Sequence, residues 1–226
     1  MWADRRLFAV QYFLVRILAI ADEVSPFVYS ENFPGNLLPF ELVLAAGDMP
    51  GHVLEFVATR LTTTQPVYVI GNHREEYLRR DDPETAQQTQ LPGGCINAHG
   101  RVLELNGLLI AGFEGSPRYS AGPHQYSEWQ LHTMTRKMAP KLLLNRARHG
   151  RAVDILLTHA PPKGPHEGED YPHRGVGAFN HFVDTWKPKL HVHGHVHLNG
   201  ANAAREYVTE SGVRVVNAFG FTMIEL

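Results

Sequence analysis

The sequence predicts an α/β fold in which helices are layered against a mixed β-sheet, and three patterns predict it. Five short apolar runs each end at an acidic, amide or histidine side chain. Amphipathic segments of helix length lie between several of these runs, and an Asn-Gly pair joins two further apolar runs. Strands that alternate with helices are typical of α/β layers, whereas Asn-Gly between apolar runs indicates an antiparallel hairpin.

Runs of four to eight apolar or β-branched residues closed by turn residues are typical of buried strands. The five predicted core strands cover residues 15–21, 41–46, 66–70, 153–157 and 190–193. The predicted hairpin joins 101–106 to 108–113, and a C-terminal pair of strands joins 213–217 to 221–226 near Gly220. Apolar residues at helical spacing predict helices over 51–61, 127–144 and 177–186, with Trp129 and Trp186 in the helix core. The polar segments 81–94 and 160–176 are predicted loops.

Composition restricts the classes of function. The chain has 226 residues, 43% hydrophobic and 19% charged, which suits one globular domain. A net charge of −2 and the lack of a basic stripe give no strong nucleic-acid signal. The single cysteine, Cys95, excludes an internal disulfide and indicates a reducing compartment, so we expect a cytoplasmic protein. Composition leaves the oligomeric state open.

The N-terminal apolar run needs a separate check, because it follows Arg5 and Arg6 as the core of a signal peptide would. Gln11 and Arg16 interrupt the run, and no small-residue cleavage site follows it. It is also shorter than the roughly 20 apolar residues of a membrane span. We therefore expect no membrane partner, an N-terminal extension over residues 1–14, and one folded domain over residues 15–226.

The residues that end the core strands are all able to bind metal. In open α/β sheets, ligands bind beyond the carboxyl ends of the strands, so side chains far apart in sequence can meet at one rim. The candidates are Asp22, Asp48, Asn72, His159, His195 and His197. Oxygen and imidazole ligands without thiolate suit Mn²⁺, Fe or Zn²⁺. Two such ions bridged by a carboxylate can clamp the attacking and leaving oxygens of a phosphoryl displacement.

Four short motifs, in their order along the chain, resemble the calcineurin-like metallophosphoesterases. They are Gly47-Asp48, Gly71-Asn72-His73, Thr158-His159 and Gly194-His195-Val196-His197. Each motif is weak alone, but together they are specific, and the resemblance extends over residues 15–226. The resemblance implies a four-layer α-β-β-α sandwich of two mixed sheets flanked by helices, with two divalent metal ions at one rim and phosphoester hydrolysis as the activity.

The resemblance also implies a role for each residue. The first ion would be held by Asp48, Asp22 and His197, and the second by Asp48, Asn72, His159 and His195. His73 would protonate the leaving oxygen or stabilise the charge of the transition state. A histidine suits that role because its pKa lies close to the working pH.

One departure from the family pattern concerns the first ion. The family motif Asp-x-His is here Asp22-Glu23-Val24, and valine cannot coordinate a metal. Water could fill the position, Glu23 could move in, or the first site could stay empty at ordinary metal concentrations. We favour water, and we expect the first site to bind metal more weakly and to be only partly occupied.

A second departure is Arg74, where the family usually has an aspartate that orients the catalytic histidine. Glu75 or Glu76 could replace that carboxylate, or Arg74 could face the substrate, because guanidinium pairs well with phosphate oxygens. Loops at the strand-end rim often carry substrate contacts. The further candidates for such contacts are Arg118, Tyr119, His173 and Arg174.

Three other interpretations compete with a phosphoesterase acting on a small phosphate monoester or diester. A degraded site could leave the fold as a scaffold, as in one retromer subunit, although the retained His73 argues against this. A zinc hydrolase of the metallo-β-lactamase type would carry its histidine motif early, whereas here it comes late. The alternating histidines from His191 to His197 could also be merely the polar face of an edge strand.

Overall fold

The computed structural model describes residues 14–73, 91–198 and 204–226. In the predicted N-terminal extension only Leu14 falls within this range, and its side chain is exposed. Backbone pairing with the rest of the domain begins at Val15, which exchanges two hydrogen bonds with Leu226. No helix in the described ranges is both long enough and apolar enough to cross a membrane.

The first sheet has five strands. In chain order these are β1 (Arg16–Ala21), β2 (Leu42–Ala45), β3 (Val67–Tyr68), β4 (Ile96–Asn97) and β13 (Gly220–Glu225). Their spatial order is β13-β1-β2-β3-β4. The first four strands run parallel, and β13 is antiparallel to β1. Parallel pairing brings the carboxyl ends of β1, β2 and β3 to one rim.

The second sheet has six strands. These are β5 (Val102–Leu105), β6 (Leu108–Phe113), β9 (Ile155–Thr158), β10 (Leu190–His193), β11 (Glu206–Val208) and β12 (Arg214–Asn217). The spatial order is β11-β12-β10-β9-β6-β5, with the two outer strands antiparallel and the four inner strands parallel. A separate short pair joins β7 (Ser116–Pro117) to β8 (Gln125–Tyr126).

Within the described residues, four helices cover the outer faces of the sheets. They are α1 (Gly51–Arg60), α2 (Glu128–Lys137), α3 (Ala139–His149) and α4 (Gly177–Trp186), and a 3₁₀ turn spans Tyr171–His173. Helix α1 packs its apolar face on the five-stranded sheet, and the other three pack on the six-stranded sheet. The predicted α-β-β-α sandwich of two mixed sheets is therefore confirmed.

Strand β1 shows why the sheets are layered. Side chains along a strand alternate between its two faces. Ile17 and Ala19 enter the core between the sheets, whereas Leu18 and Ile20 enter the core beneath α1. Because both faces are covered, the strand is apolar from Ile17 to Ala21, as the apolar run in the sequence predicted.

The hairpin predicted at Asn106-Gly107 is confirmed. Strands β5 and β6 are antiparallel with Leu105 opposite Leu108. Asn106 has φ of 50° and Gly107 has φ of 75°. Positive φ at both central residues is the geometry that favours Asn-Gly in a two-residue turn.

The long helix predicted over 127–144 is wrong in one respect, because two helices separated at Met138 replace it. Pro140 lies in the first turn of α3, where a missing backbone N–H is tolerated, but it cannot continue α2. Ser127 and Gln130 form a reciprocal capping box that starts α2. The assignment of Trp129 to the helix core is also wrong, since 75% of its surface is exposed, whereas Trp186 packs against the outer core.

The predicted C-terminal pair of strands forms, but its two strands do not pair with each other. Strand β12 pairs with β10 and β11 in one sheet, and β13 pairs with β1 in the other. The chain crosses between the sheets at residues 218–219, where Ala218 donates to the His193 carbonyl and Phe219 bridges to Ala21. The crossing lies directly beside the strand ends that carry the candidate ligands.

Candidate metal centre

The six candidate ligands all follow parallel strands, at the same rim of the two sheets. Asp22, Asp48 and Asn72 come after β1, β2 and β3, and the three histidines come after β9 and β10. Asp22, Asp48 and His195 have φ of 65°, 50° and 69°. Positive φ is uncommon outside glycine and concentrates at functional sites. The backbone therefore turns sharply where each of these side chains enters the rim.

The structure brings four of these side chains into close contact. Ligand atoms of Asp48, His159 and His195 all lie within 4.8 Å of one another, and all three residues are buried. The His159 Nε2 atom lies 3.2 Å from the Asp48 Oδ2 atom and 2.9 Å from the Asn72 Oδ1 atom. One carboxylate, two imidazoles and an amide oxygen form a donor set that suits a divalent cation.

Backbone carbonyls fix the orientation of both buried imidazoles. The His159 Nδ1 atom donates to the Ala46 carbonyl at 2.8 Å, and the His195 Nε2 atom donates to the Pro172 carbonyl at 2.8 Å. A carbonyl can only accept, so these nitrogens carry the protons. His159 Nε2 and His195 Nδ1 remain as the nitrogens that could bind a metal. Such outer hydrogen bonds are usual behind metal-bound histidines.

Two glycines allow the backbones to approach this closely. A Cβ atom at Gly71 would lie 1.8 Å from the Asp48 Oδ1 atom. A Cβ atom at Gly47 would lie 2.3 Å from the His159 Nδ1 atom, and the φ of Gly47 is 94°. The glycines of the Gly-Asp and Gly-Asn-His motifs thus make room for the side chains of the centre itself.

Burial and charge act against each other at Asp48 and His159. Burial alone would raise the pKa of Asp48, but the charge and hydrogen bond of His159 hold that pKa well below its usual range. Burial alone would lower the pKa of His159, but the charge and hydrogen bond of Asp48 raise it to about 9. Without a cation the pair is therefore an imidazolium beside a carboxylate, with a proton where a cation would bind.

The pKa values of Asp22 and His195 are set mainly by burial. Burial raises the pKa of Asp22 from 3.8 to about 6, partly opposed by the charge of His159. Burial lowers the pKa of His195 to about 3, so His195 is neutral and able to bind metal at neutral pH.

The residues assigned to the first ion are more loosely gathered. Both carboxylate oxygens of Asp22 accept from the backbone N–H of His195, at 3.1 and 3.0 Å. His197 is exposed, and its ring centroid lies 4.6 Å from that of Phe219. Val24 packs against the apolar core beneath α1. Its side chain therefore contributes to packing at the position where the family pattern has a ligand.

His73 lies at the open side of the centre. Its backbone N–H donates to the Asp48 Oδ1 atom at 3.1 Å, and its Nε2 atom lies 3.7 Å from the Asp48 Oδ2 atom. Its side chain is 65% exposed. The imidazole is thus fixed at its base beside the centre and open to solvent at its tip.

Two of the candidate substrate contacts lie at the centre. The Tyr119 hydroxyl accepts from the Asn72 Nδ2 atom at 2.9 Å. The His173 ring centroid lies 4.8 Å from that of His195, and the His173 Nδ1 atom is bonded to Asp170.

Arg118 and Arg174 are not brought to the centre by any contact in the described residues. Arg118 bonds to Gln130 and to the Gln125 carbonyl, and the Arg174 guanidinium lies over the Tyr171 ring. Arg74 lies outside the described residues, as do Glu75 and Glu76, which were the possible replacements for the family aspartate.

The interpretation of the alternating histidines as an edge-strand face is wrong. Strand β10 lies inside the six-stranded sheet, and His191 and His193 are fully buried. They lie on the outer face, where His191 contacts Thr158 and His193 contacts His166. His191 and His193 are therefore part of the packing on the outer face of the sheet, whereas His195 and His197 follow the end of the strand.

One polar residue at the rim did not emerge from the sequence patterns. Glu114 follows β6 and is buried, and its carboxylate accepts from the Tyr126 hydroxyl at 2.6 Å and lies 3.0 Å from the His124 Nδ1 atom. A polar residue directly after an apolar run was the available signal, the same signal that indicated the metal ligands.

Comparisons with known proteins agree with this geometry. A family model described as calcineurin-like phosphoesterase matches residues 16–199. One crystal structure is 13% identical with a TM-score of 0.58, over 94% of this chain and 95% of that chain. The crystal structure of TT1561 of Thermus thermophilus is 17% identical with a TM-score of 0.53, over 92% of this chain and 90% of that chain.

At these identities the two structures show the shared fold alone. No curated protein sequence matches the chain. The family model, in contrast, covers most of the chain, including all six candidate ligands and His73. The chain therefore belongs to the calcineurin-like phosphoesterase family, as the motifs at its strand ends indicated.

Proposed function

We propose that this protein is a metal-dependent phosphoesterase that hydrolyses a small phosphate ester. The observation that carries the proposal is the buried cluster of Asp48, His159 and His195, whose ligand atoms lie within 4.8 Å of one another. Membership of the family supports hydrolysis of a phosphoric ester. Such a cluster of buried polar groups is unfavourable for stability alone, which supports a functional role.

The two halves of the centre differ in our proposal. Asp48, Asn72, His159 and His195 would hold one divalent ion firmly, while Asp22 and His197 with Asp48 would hold a second ion weakly. Mn²⁺, Fe and Zn²⁺ fit the donor set. Such ions, when bound, polarise phosphate oxygens and lower the pKa of a coordinated water. The chain's own part is to orient these ligands and to exclude bulk water from His159 and Asp48.

His73 is proposed as the residue that donates a proton to the leaving oxygen. Its backbone is held by Asp48 at 3.1 Å, and its exposed imidazole can reach a bound ester. Histidine is the side chain most often used as a general acid, which supports this role.

The test is hydrolysis by protein that has been stripped of metal and then loaded with one divalent metal at a time. The substrates are bis-p-nitrophenyl phosphate for diesters and p-nitrophenyl phosphate for monoesters. We expect turnover that requires added metal and is abolished by a chelator. Asp48→Asn should lower kcat by about 10²-fold or more, because a neutral amide would bind a divalent cation much more weakly than a carboxylate. The matched control, Asp184→Asn on the exposed side of α4, should retain full activity.

The main alternative is a scaffold that keeps the fold and has lost the reaction. The observation that favours the scaffold is Val24, which packs against the core beneath α1 and cannot supply the ligand expected at that position. Folded protein that binds metal but hydrolyses neither substrate with any divalent metal would favour the scaffold.

A further inference from the structure

The side-chain amide of Asn72 is held from two opposite sides. Its Oδ1 atom lies 2.9 Å from the His159 Nε2 atom, and its Nδ2 atom donates to the Tyr119 hydroxyl at 2.9 Å. Asn72 is buried, with 5% of its surface exposed. An amide has one oxygen end and one nitrogen end, so a partner that accepts from the nitrogen keeps the oxygen directed to the opposite side.

Tyr119 is itself fixed by its loop. Its backbone N–H donates to the Oε1 atom of buried Gln125 at 3.2 Å, and the same oxygen accepts from the backbone and hydroxyl of Ser120. Three donors on one buried oxygen hold the backbone of residues 119 and 120 rigidly. The tyrosine ring therefore starts from a defined position at the mouth of the centre, where 38% of its surface is exposed.

The base of this loop is tied to the strand that leads to Asn72. The Gly115 N–H donates to the Ile70 carbonyl at 2.9 Å, two residues before Asn72. The Glu114 carboxylate accepts a hydrogen bond from the Tyr126 hydroxyl and contacts the His124 ring, so it links the two ends of the loop. The short β7–β8 pairing also links these two ends. Tyr119 and Asn72 thus belong to one connected unit.

We propose that Tyr119 is a positioning residue for the metal centre, which holds the Asn72 amide with its oxygen directed at the metal. The proposal rests on the proposed function in one respect, namely that the ion bound at this site is a divalent metal. Tyr119 acts through Asn72 and differs in this from a residue that contacts only the substrate. Loss of such a partner typically weakens metal affinity or activity 10- to 100-fold.

The test is Tyr119→Phe, which removes one oxygen and keeps the ring. Binding of Mn²⁺ is measured by calorimetry without substrate, and we expect the affinity of the tighter site to fall about 10-fold. Excess Mn²⁺ should restore most of kcat, because the defect lies in metal binding. The control Tyr29→Phe removes a hydroxyl from an exposed tyrosine whose ring packs on Phe56, and it should change neither quantity.

A double-mutant cycle with Asn72→Ala tests whether Tyr119 affects Mn²⁺ affinity through Asn72. In the Asn72→Ala background, Tyr119→Phe should produce no further loss of Mn²⁺ affinity, since contacting residues are not additive. An equal loss in both backgrounds would overturn the proposal. So would unchanged Mn²⁺ affinity with a raised KM, which would make Tyr119 a substrate contact. A chain that binds Mn²⁺ but shows no turnover would defeat the proposed function, while the affinities would still decide the role of Tyr119.

Discussion

The Nε2 atom of His159 lies 3.2 Å from the Oδ2 atom of Asp48, in a part of the rim where His159 has no exposed surface. The two groups attract each other strongly enough to overcome the burial of the imidazole, whose pKa is raised to about 9. Metal binding has to displace the proton between them. We therefore expect the same contact to organise the centre without metal and to oppose metal binding at lower pH.

Metal binding should accordingly release a proton. Below about pH 9 the metal-free protein carries the His159 proton, and only the neutral imidazole binds metal, so affinity should rise with pH until about 9. Calorimetry in two buffers with different ionisation enthalpies measures the protons released per Mn²⁺ bound. We expect close to one proton near neutral pH and fewer above pH 9. An affinity that is flat between about pH 6 and pH 9 would contradict this.

The two metal sites should differ in affinity. Val24 supplies no ligand, and burial raises the pKa of Asp22 to about 6, so a proton competes for the weaker site. Titration with Mn²⁺ should show one tight and one weak event, with the weak event fading as the pH falls below about 6. His197→Ala should remove only the weak event, and exposed His52→Ala serves as the control. Two equally tight sites would refute the difference.

His73→Gln should affect catalysis and leave metal binding almost unchanged. The side chain is 65% exposed, so the substitution leaves the core intact. General acid catalysis typically contributes about 10²-fold or more, and kcat should fall by this order. The loss should be larger for an alkyl ester than for a p-nitrophenyl ester, because a poor leaving group depends more on protonation. Equal losses for both esters would assign His73 to charge stabilisation instead.

Gly71→Ala should disrupt the centre through sterics alone. The added Cβ atom would lie 1.8 Å from the Asp48 Oδ1 atom, so either the carboxylate or the backbone must move. We expect Mn²⁺ affinity to fall about 10-fold or more, since ligand geometry determines metal affinity. Gly93→Ala is the matched control, because its Cβ atom would meet only the Glu55 side chain, at 3.5 Å. Similar Mn²⁺ affinity for the two variants would contradict the steric argument.

The sequence predicted most of the sheet framework because the signals were local. Buried strands are continuous apolar runs when both faces are covered, as in β1, and Asn106-Gly107 favours one turn geometry. The helix break at Met138 was also local in origin, at Pro140, but the apolar pattern on both sides concealed it. The exposure of Trp129 could not be predicted from local sequence, since it depends on which face of α2 packs on the sheet.

Pairing partners were decided by tertiary structure. Nothing within 213–226 distinguishes a hairpin from two strands that enter different sheets, because each run is apolar by itself. The edge beside β1 was open, and β13 fills it. The burial of His191 and His193 was likewise decided by the position of β10 inside its sheet.

For the candidate centre, the sequence by itself determined which residues stand at the strand ends and in what order, because a polar residue after an apolar run is visible locally. It also placed at position 24 a valine, whose side chain cannot coordinate a metal. Only the tertiary structure decided distances: that His159 contacts both Asp48 and Asn72, that Ala46 and Pro172 orient the imidazoles, and that Tyr119 holds Asn72. These contacts join residues far apart in the chain, so they depend on how the two sheets pack.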